Sequence, residues 1–499
     1  MTTVTRPGVP IWEDEEAIVA LWDGEEASCA LSKDEEVSLP SLKDEVVSTF
    51  LKSVEIKINC SEKNEVMMDR VPDMLRQQNE KAYSPTTISI GPLHRGTESL
   101  QAMEPVKSSY TRVLLNRAGT FEETKRACAV AMLEMEDEVR KYYEPARLQS
   151  CHTEDESKLA EVMLIDGCFI IELLFRNGNK DNDDDPILGN SFKYYAIQRD
   201  LLLLENQIPF AVLQQLFRLT VGNVIPNPND QKSSLTRWVL VFFGNIMGLE
   251  KNEYKEDETP YHILHLLHMQ YLPVCTPYLQ KDKKDDETKK MENKENQKME
   301  NKEKEKMENR ISYPATQLQL AGVELKAGAH GNLFDIKFST TFSFTSCSSL
   351  FRKGRLEITP FLIFDSTESF LRNCIALEQS YSWIGNYFTS LAFLMDILID
   401  TAEDVELLEE AGIIRNNLGS REEVAKLFNG ICKNAIPRRF HYRKEYKDVM
   451  KFCNPWRLYS RRLTQYYFGS PWSGISVVAA LILFALTFLS TLYTLLAYY

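Results

Sequence analysis

The C-terminal stretch 475–499, ISVVAALILFALTFLSTLYTLLAYY, carries no charged side chain and constrains the fold more than any other part of the chain. A bilayer core of about 30 Å requires roughly 20 apolar residues in a helix, which satisfies every backbone polar group internally. A buried core helix is the alternative, but such helices usually carry a polar face. We therefore predict a transmembrane helix at 475–497. The predicted anchor residues are Ile475, Leu481, Leu483, Phe488 and Leu495.

Basic and aromatic residues precede the predicted span, in segment 433–474. We assign Arg457, Arg461 and Arg462 as the basic residues beside the membrane. Positive charge beside a span tends to stay cytoplasmic and attracts anionic lipids, although a basic run is also typical of a solvated surface. The N-terminal region lacks the pattern of a secretory signal. We therefore predict a single-pass, tail-anchored protein, bound to the lipid bilayer of the plasma membrane, with most of the chain in the cytosol.

The composition narrows the class of partner. The 499 residues carry a formal net charge of -14, so nucleic acid is not an expected partner. Hydrophobic residues make up 43% of the chain, which is enough for a substantial core. The 10 cysteines are scattered without a CxxC pair, and this usage fits a reducing compartment. The expected partner besides the membrane is a protein whose identity the sequence does not reveal.

The segments of the chain differ in composition, and most of them have helical periodicity. We predict a mainly α (α+β) fold, with a single large helical domain, a small antiparallel β region and a C-terminal transmembrane helix. The β region is expected between Val323 and Phe364, where apolar and polar residues alternate. The predicted segments are an acidic, largely disordered arm (1–55), a helical part (56–278), a Lys/Glu-rich low-complexity insert (279–310), the β region with the helices that complete the domain (311–432), the juxtamembrane segment (433–474) and the span (475–497).

Polar side chains interrupt two apolar helical stretches. Asp166 and Gly167 lie within LAEVMLIDGCFIIELLF (159–175). The stretch RDLLLLENQIPFAVLQQLF (199–217) contains Asp200, Glu205, Asn206 and Gln207. A buried carboxylate can act as a general acid or base, but it is more often hydrogen-bonded at a helix–helix contact, where a glycine permits close approach. We interpret these residues as a polar network that determines helix packing, because no nucleophile or base lies beside them.

Two groups of residues resemble metal sites only in their spacing. Three aspartates have the spacing of a calcium loop: Asp181, Asp183 and Asp185. However, Pro186 and Phe192 occupy the positions where an EF-hand requires Gly and Glu. Three histidines recur at every third position of a helical stretch: His262, His265 and His268. No cysteine or second carboxylate nearby completes a ligand shell, so we predict no metal site.

Several catalytic motifs are absent from the sequence, namely GxGxxG, GxxxxGK[ST], HExxH and GxSxG. We therefore predict no catalytic residues, no cofactor, and a non-enzymatic protein of the interaction, recognition or signalling type. One alternative is a membrane-associated hydrolase that uses Asp166, Asp200, Glu205 and one of the histidines at 262–268. Another alternative is a structural membrane tether, with the insert 279–310 as its spacer.

Six ordered blocks of sequence carry a family resemblance. They are RVPDMLRQQNEKAYSPTTISIGPLHRG (70–96), MLIDGCFIIELL (163–174), RDLLLLENQIPF (199–210), RNCIALEQ (372–379), GIIRNNLGSREEVAKLFN (412–429) and YFGSPWSGIS (467–476). Together they resemble a large plant family, domain of unknown function 247. The resemblance implies a single, mainly helical, membrane-attached domain without an established enzymatic activity or catalytic residues. It also implies a link with signalling and, in grasses, with self-recognition between pollen and stigma.

Overall fold

The structure is a computed structural model of the chain, and the residues that it describes belong to one structural unit, Glu65–Tyr499. The described residues are 68, 70–117, 119–143, 156–178, 184–223, 234–244, 246, 259–273, 313–329, 331–341, 353–381, 383–453, 455–468 and 471–498. The predicted acidic arm (1–55), the insert (279–310), Asp181 and Asp183 lie outside them.

The first half of this unit consists of helices around α5. The helices are α1 (Asp73–Arg76), α2 (Glu104–Arg117), α3 (Phe121–Glu134), α4 (Glu136–Lys141), α5 (Glu156–Gly178), α6 (Ser191–Asp200), α7 (Phe210–Leu219), α8 (Leu235–Phe243) and α9 (Ile263–Tyr271), with 3₁₀ turns at Glu80–Ala82, Glu98–Met103 and Val221–Asn223. Helix α5 contacts α2, α3, α7 and α8. Its sequence is apolar on nearly every face, and a helix of this kind is stable only when other elements surround it.

The contact between α5 and α7 depends on Gly167. A Cβ atom at this position would lie 2.4 Å from Leu216 Cδ1 and 3.7 Å from Val212 Cγ1. The glycine therefore lets α7 approach the α5 backbone, as predicted for a glycine beside a buried polar residue. The neighbouring Asp166 and Cys168 are both fully buried.

Two small sheets follow α10 (Ala315–Leu320). The strands are β1 (Val323–Ala327), β2 (Ile336–Thr341), β3 (Lys353–Ile358), β4 (Phe361–Ile363) and β5 (Ile414–Asn416). In the first sheet β3 is central; β2 pairs antiparallel to it, as predicted, whereas β1 pairs parallel to it. Strands β4 and β5 form a second, parallel pair. The β region is therefore mixed rather than antiparallel throughout, because long connections between paired strands permit parallel pairing.

The second half of the unit is again mainly helical, which confirms the predicted fold class. Its helices are α11 (Asp365–Ser380), α12 (Tyr387–Leu398), α13 (Ala402–Glu410), α14 (Arg421–Ile431), α15 (Arg443–Phe452), α16 (Pro455–Phe468) and α17 (Pro471–Tyr498). Buried Asn373 on α11 joins the two halves, since its Oδ1 accepts a hydrogen bond from Leu204 N at 2.9 Å and its Nδ2 donates to Ala82 O at 2.9 Å.

We expect Gly167→Ala to destabilise the protein, because the added methyl group would overlap Leu216 and overpacking costs about 1–3 kcal/mol. Gly178→Ala is the matched control, since no heavy atom lies within 4 Å of a Cβ at that helical glycine. Urea unfolding of the full chain in detergent micelles should give a free energy of unfolding about 2 kcal/mol lower for Gly167→Ala than for Gly178→Ala. Equal stabilities would show that α7 does not press on Gly167.

Candidate functional site

Helix α17 is the one helix among the described residues that is long and apolar enough to cross a membrane. Its apolar part, Ile475–Leu496, has 22 residues. At about 1.5 Å per residue this segment is roughly 33 Å long, close to the thickness of a bilayer core. None of this segment is buried against the rest of the protein.

The predicted anchor residues all lie on this exposed helix. Their side chains are between 60% and 65% exposed: Ile475, Leu481, Leu483, Phe488 and Leu495. A core helix would bury most of these side chains, so the exposure separates α17 from a buried helix of similar composition. A contiguous apolar surface of this size is typical of a site that meets a membrane or another protein.

The predicted basic residues do not form one group. The Nε atom of Arg457 donates to Ala321 O at 3.0 Å, and its guanidinium lies 3.8 Å from the centre of the Phe452 ring. A Cβ at Gly322 would lie 2.9 Å from Arg461 Nη2, so the side chain of Arg461 also packs against the turn before β1. Arg462, in contrast, is exposed. Two of the three arginines thus hold α16 against the body, which their charge alone did not indicate.

The outer face of α16 is aromatic. Trp456 is 78% exposed, and its ring stacks on that of Tyr459 with a centroid distance of 6.2 Å. Trp472, at the start of α17, is also exposed. Rings of this type favour the boundary between lipid and water. The sequence analysis described segment 433–474 as basic and aromatic but did not identify the pair on α16, although its i, i+3 spacing indicates a shared helix face.

The first part of the buried polar network is an ion pair between α2 and α5. Lys107 Nζ lies 2.7 Å from Asp166 Oδ1, and both side chains are fully buried. Lys107 also donates to Ser89 O at 2.8 Å, while Gly91 N donates to Asp166 Oδ2 at 2.9 Å. Burial raises the pKa of Asp166 in spite of the neighbouring ammonium. The pair therefore fixes the segment around Ser89–Gly91 between two helices.

The second part of the network lies at the end of α6. Buried Asp200 accepts hydrogen bonds from Thr87 N at 2.6 Å and Ile88 N at 3.0 Å. Asn206 accepts from Ile90 N at 2.7 Å and donates to Ile88 O at 3.1 Å. These side chains satisfy a run of backbone groups that no strand satisfies, so their role is to hold segment 86–90 in place.

Glu205 completes the network at its outer edge. It accepts a hydrogen bond from Val71 N at 2.8 Å and pairs with Arg76, and His94 Nε2 lies 3.4 Å from its Oε2. Burial alone would raise the pKa of Glu205, but the contacts with His94, Arg76 and the Val71 amide outweigh burial and lower it. The carboxylate is therefore occupied by contacts within the protein.

His265 and His268 lie on α9 and His262 directly precedes it, and all three side chains are buried. His262 is the N-cap of this helix, because its Nδ1 accepts a hydrogen bond from His265 N at 3.1 Å. His265 Nδ1 accepts from Tyr261 N at 3.1 Å, and His268 Nε2 lies 2.9 Å from Oε1 of buried Glu378. No cluster of three or more metal-ligating side chains occurs among the residues that the structure describes.

The residues of the hydrolase alternative do not meet in a cavity. Asp166, Asp200 and Glu205 are each bound to backbone amides of segment 70–91, and the histidines cap or pack within α9. A cavity of about 680 Å³ between α11 and α14 is lined by none of these residues. Asp185 of the possible calcium loop binds the Tyr110 hydroxyl and Arg176. These contacts agree with the interpretation of the polar residues as a network that determines packing.

The described residues form a mainly helical protein, and the surface of its C-terminal helix α17 is apolar and exposed. The profile of the family described as plant protein of unknown function, domain of unknown function 247, matches residues 68–486, so the chain belongs to this plant family. The chain is 29% identical over 442 residues to UPF0481 protein At3g47200 of Arabidopsis thaliana, with 86% of each chain covered. It is 24% identical over 510 residues to Putative UPF0481 protein At3g02645 of the same plant, covering 87% of this chain and 92% of the relative. No solved structure matches the chain.

We expect Lys107→Met to cost about 3–5 kcal/mol of unfolding free energy, because the variant leaves Asp166 buried without its nearest cation. The control is Lys125→Met, since Lys125 forms an exposed pair with Glu122, and such pairs contribute about 1 kcal/mol or less. Denaturant unfolding of both variants measures the difference. A loss below 1 kcal/mol for Lys107→Met would contradict the assigned role of the pair.

We also expect the protein to lose stability as the pH falls from about 6.5 to 5. Burial lowers the pKa of His262 to about 3 and that of His265 well below its ordinary value. In this pH range the two histidines bind protons in the unfolded chain but not in the folded chain. Each histidine therefore lowers the free energy of unfolding by up to about 1.4 kcal/mol per pH unit. His262→Asn keeps an N-cap oxygen and removes one proton site, so its stability should fall less steeply than that of the original chain. Equal slopes would contradict this account.

Proposed function

We propose that the protein is a single-pass membrane protein whose helical body serves as a non-enzymatic interaction or recognition module at the membrane surface. The observation that carries this proposal is that no part of Ile475–Leu496 is buried against the body. Complete burial of one Leu, Ile or Phe side chain stabilises by about 1.5–3 kcal/mol, so an apolar helix of this length favours lipid over water strongly. The helix is long enough for a bilayer, and the described body does not cover it.

The charge around the span supports an orientation with the body in the cytosol. Arg462 is exposed, and α15 carries exposed Lys444, Lys447 and Lys451 on its outer side. Positive residues beside a span tend to remain cytoplasmic, and the anionic inner leaflet of the plasma membrane attracts them. The plasma membrane is therefore the compartment that we propose.

The buried network supports an interaction role over a catalytic one. The carboxylates that the hydrolase alternative requires already bind backbone amides and cations inside the body. A general acid or base must reach a substrate proton, and these groups face the protein interior instead. We propose that the protein acts in signalling, and specifically in self-recognition between pollen and stigma. The support for this proposal is that the chain belongs to the plant family whose resemblance implies such a role.

Extraction of plant membranes with alkaline carbonate tests the anchor. The full chain should stay in the membrane pellet, and a chain that ends at residue 474 should be released. Leu483→Lys should reduce insertion, because a lysine near the centre of a span costs about 2.5–3.5 kcal/mol. Phe192→Lys is the matched control, since Phe192 is 83% exposed on the body and its replacement should leave the distribution unchanged.

Release of the full chain by carbonate, or retention of the shortened chain, would overturn the anchor.

Protease protection of a chain tagged at both ends then tests the orientation. We expect the N-terminal tag to be protected in intact protoplasts and digested in inside-out vesicles of the plasma membrane, which expose the cytosolic side. Proximity labelling from the N-terminal tag in stigma and pollen should recover the same neighbouring proteins in repeated experiments. Absence of any neighbour that depends on residues 475–499 would contradict recognition at the membrane.

A further inference from the structure

A groove with charged walls lies between α11 and α14. Its volume is about 680 Å³. Gln78 and Asn79 contribute to its polar lining, and Leu418 and Leu427 contribute to its apolar lining. Pockets that hold small ligands usually have volumes of about 300–1,000 Å³. The groove is therefore large enough for a small polar ligand.

Arg372 forms a buried part of the groove wall. Its side chain is 6% exposed, its Nε donates to Glu368 Oε1 at 2.8 Å, and its charge partly offsets the rise that burial causes in the pKa of Tyr83. A guanidinium has five N–H donors in a rigid fork that suits a carboxylate, so further donors remain for a ligand. A Cβ at Gly430 would lie 3.7 Å from Arg372 Nη2, with no other heavy atom within 4 Å. The glycine thus leaves open space in front of the guanidinium.

The charges along the groove are separated by sign. Asp365 precedes Arg372 on α11, and Glu423 precedes Gly430 on α14, in each case by about two turns or roughly 10 Å. Lys433 follows Gly430, so Asp365 and Glu423 lie toward one end and Arg372 and Lys433 toward the other, with Glu368 and Lys426 between the two ends. Asp365, Glu423, Lys426 and Lys433 form no ion pair within 4 Å in the described part of the chain.

We propose that this groove binds a short zwitterionic peptide of about three residues. Its ammonium group lies at the end with Asp365 and Glu423, and its carboxylate lies at the end with Arg372 and Lys433. Extended chain spans about 3.3 Å per residue, so three residues match the separation of roughly 10 Å. A simple anion complements only the end with Arg372 and Lys433, whereas a zwitterion complements both ends.

Helix dipoles explain only part of this charge pattern. Acidic residues near helix N-termini and basic residues near C-termini are stabilising, which accounts for Asp365, Glu423 and Lys433. The dipoles do not account for Lys426 in the middle of α14 or for a buried arginine that faces open space. The groove lies on the body and is distinct from α17, so the proposal does not rest on the membrane assignment.

Affinity selection with the full chain in detergent micelles tests the proposal. The probe is a synthetic mixture of tripeptides with free termini, and mass spectrometry quantifies the peptides that remain bound after removal of the free fraction. We expect a subset of peptides to be retained. Acetylation of their N-terminus or amidation of their C-terminus should lower the retained amount at least tenfold.

Gly430→Phe should abolish this retention by filling the groove. Gly178→Phe is the matched control, because Gly178 is a helical glycine outside the groove with open space around it, and its variant should retain the peptides. Lys433→Glu changes an exposed side chain and should lower retention at least tenfold without unfolding the protein. Thermal unfolding confirms that each variant is folded. Retention by Gly430→Phe equal to that of the original chain, or equal retention of blocked and free peptides, would overturn the proposal.

Discussion

The buried ion pair between Lys107 and Asp166 is the contact on which the helical body depends. Transfer of a charge out of water costs several kcal/mol unless pairing and hydrogen bonds replace its hydration. Three elements supply that replacement: α2 contributes the ammonium, α5 contributes the carboxylate, and segment 89–91 contributes a carbonyl and an amide. All three must be in place together, because a missing element would leave a buried charge without its partners. The pair thus favours one arrangement of these elements over other compact arrangements.

The same principle extends to the rest of the network. Asp200, Glu205 and Asn206 provide side-chain partners for the backbone of segment 71–90, which has few partners in regular secondary structure. Gly91 has a φ of +74°, and a Cβ there would lie 2.6 Å from Gln207 O, so this close approach requires glycine. The sequence blocks at 70–96, 163–174 and 199–210 are therefore in contact with one another. Their polar residues, which resemble catalytic groups in the sequence, build the body.

The C-terminal helices α16 and α17 show a similar division of roles. On α16, Arg457 and Arg461 face the body while Trp456 and Tyr459 face outward. Charge near a span predicts contact with lipid headgroups, but a guanidinium can instead stack on a ring and bind a carbonyl when the fold brings both within reach. The β region was predicted to be antiparallel throughout, and the parallel pairing within it was not recognised from the sequence. Alternation identifies strands, whereas the pairing partner depends on long connections.

The sequence by itself determined the features that local pattern controls. Short stretches encode the apolar length of 475–497, the helical periodicity of the body and the role of Gly167. Helix formation and the length of an apolar stretch both depend on neighbouring residues. The sequence also placed Asp166, Asp200 and Glu205 in a packing network. Only the tertiary structure identified Lys107 as the partner of Asp166, turned two arginines inward and placed Arg372 opposite Gly430. These contacts join residues far apart in the chain, and no local pattern records which distant side chain fills a given space.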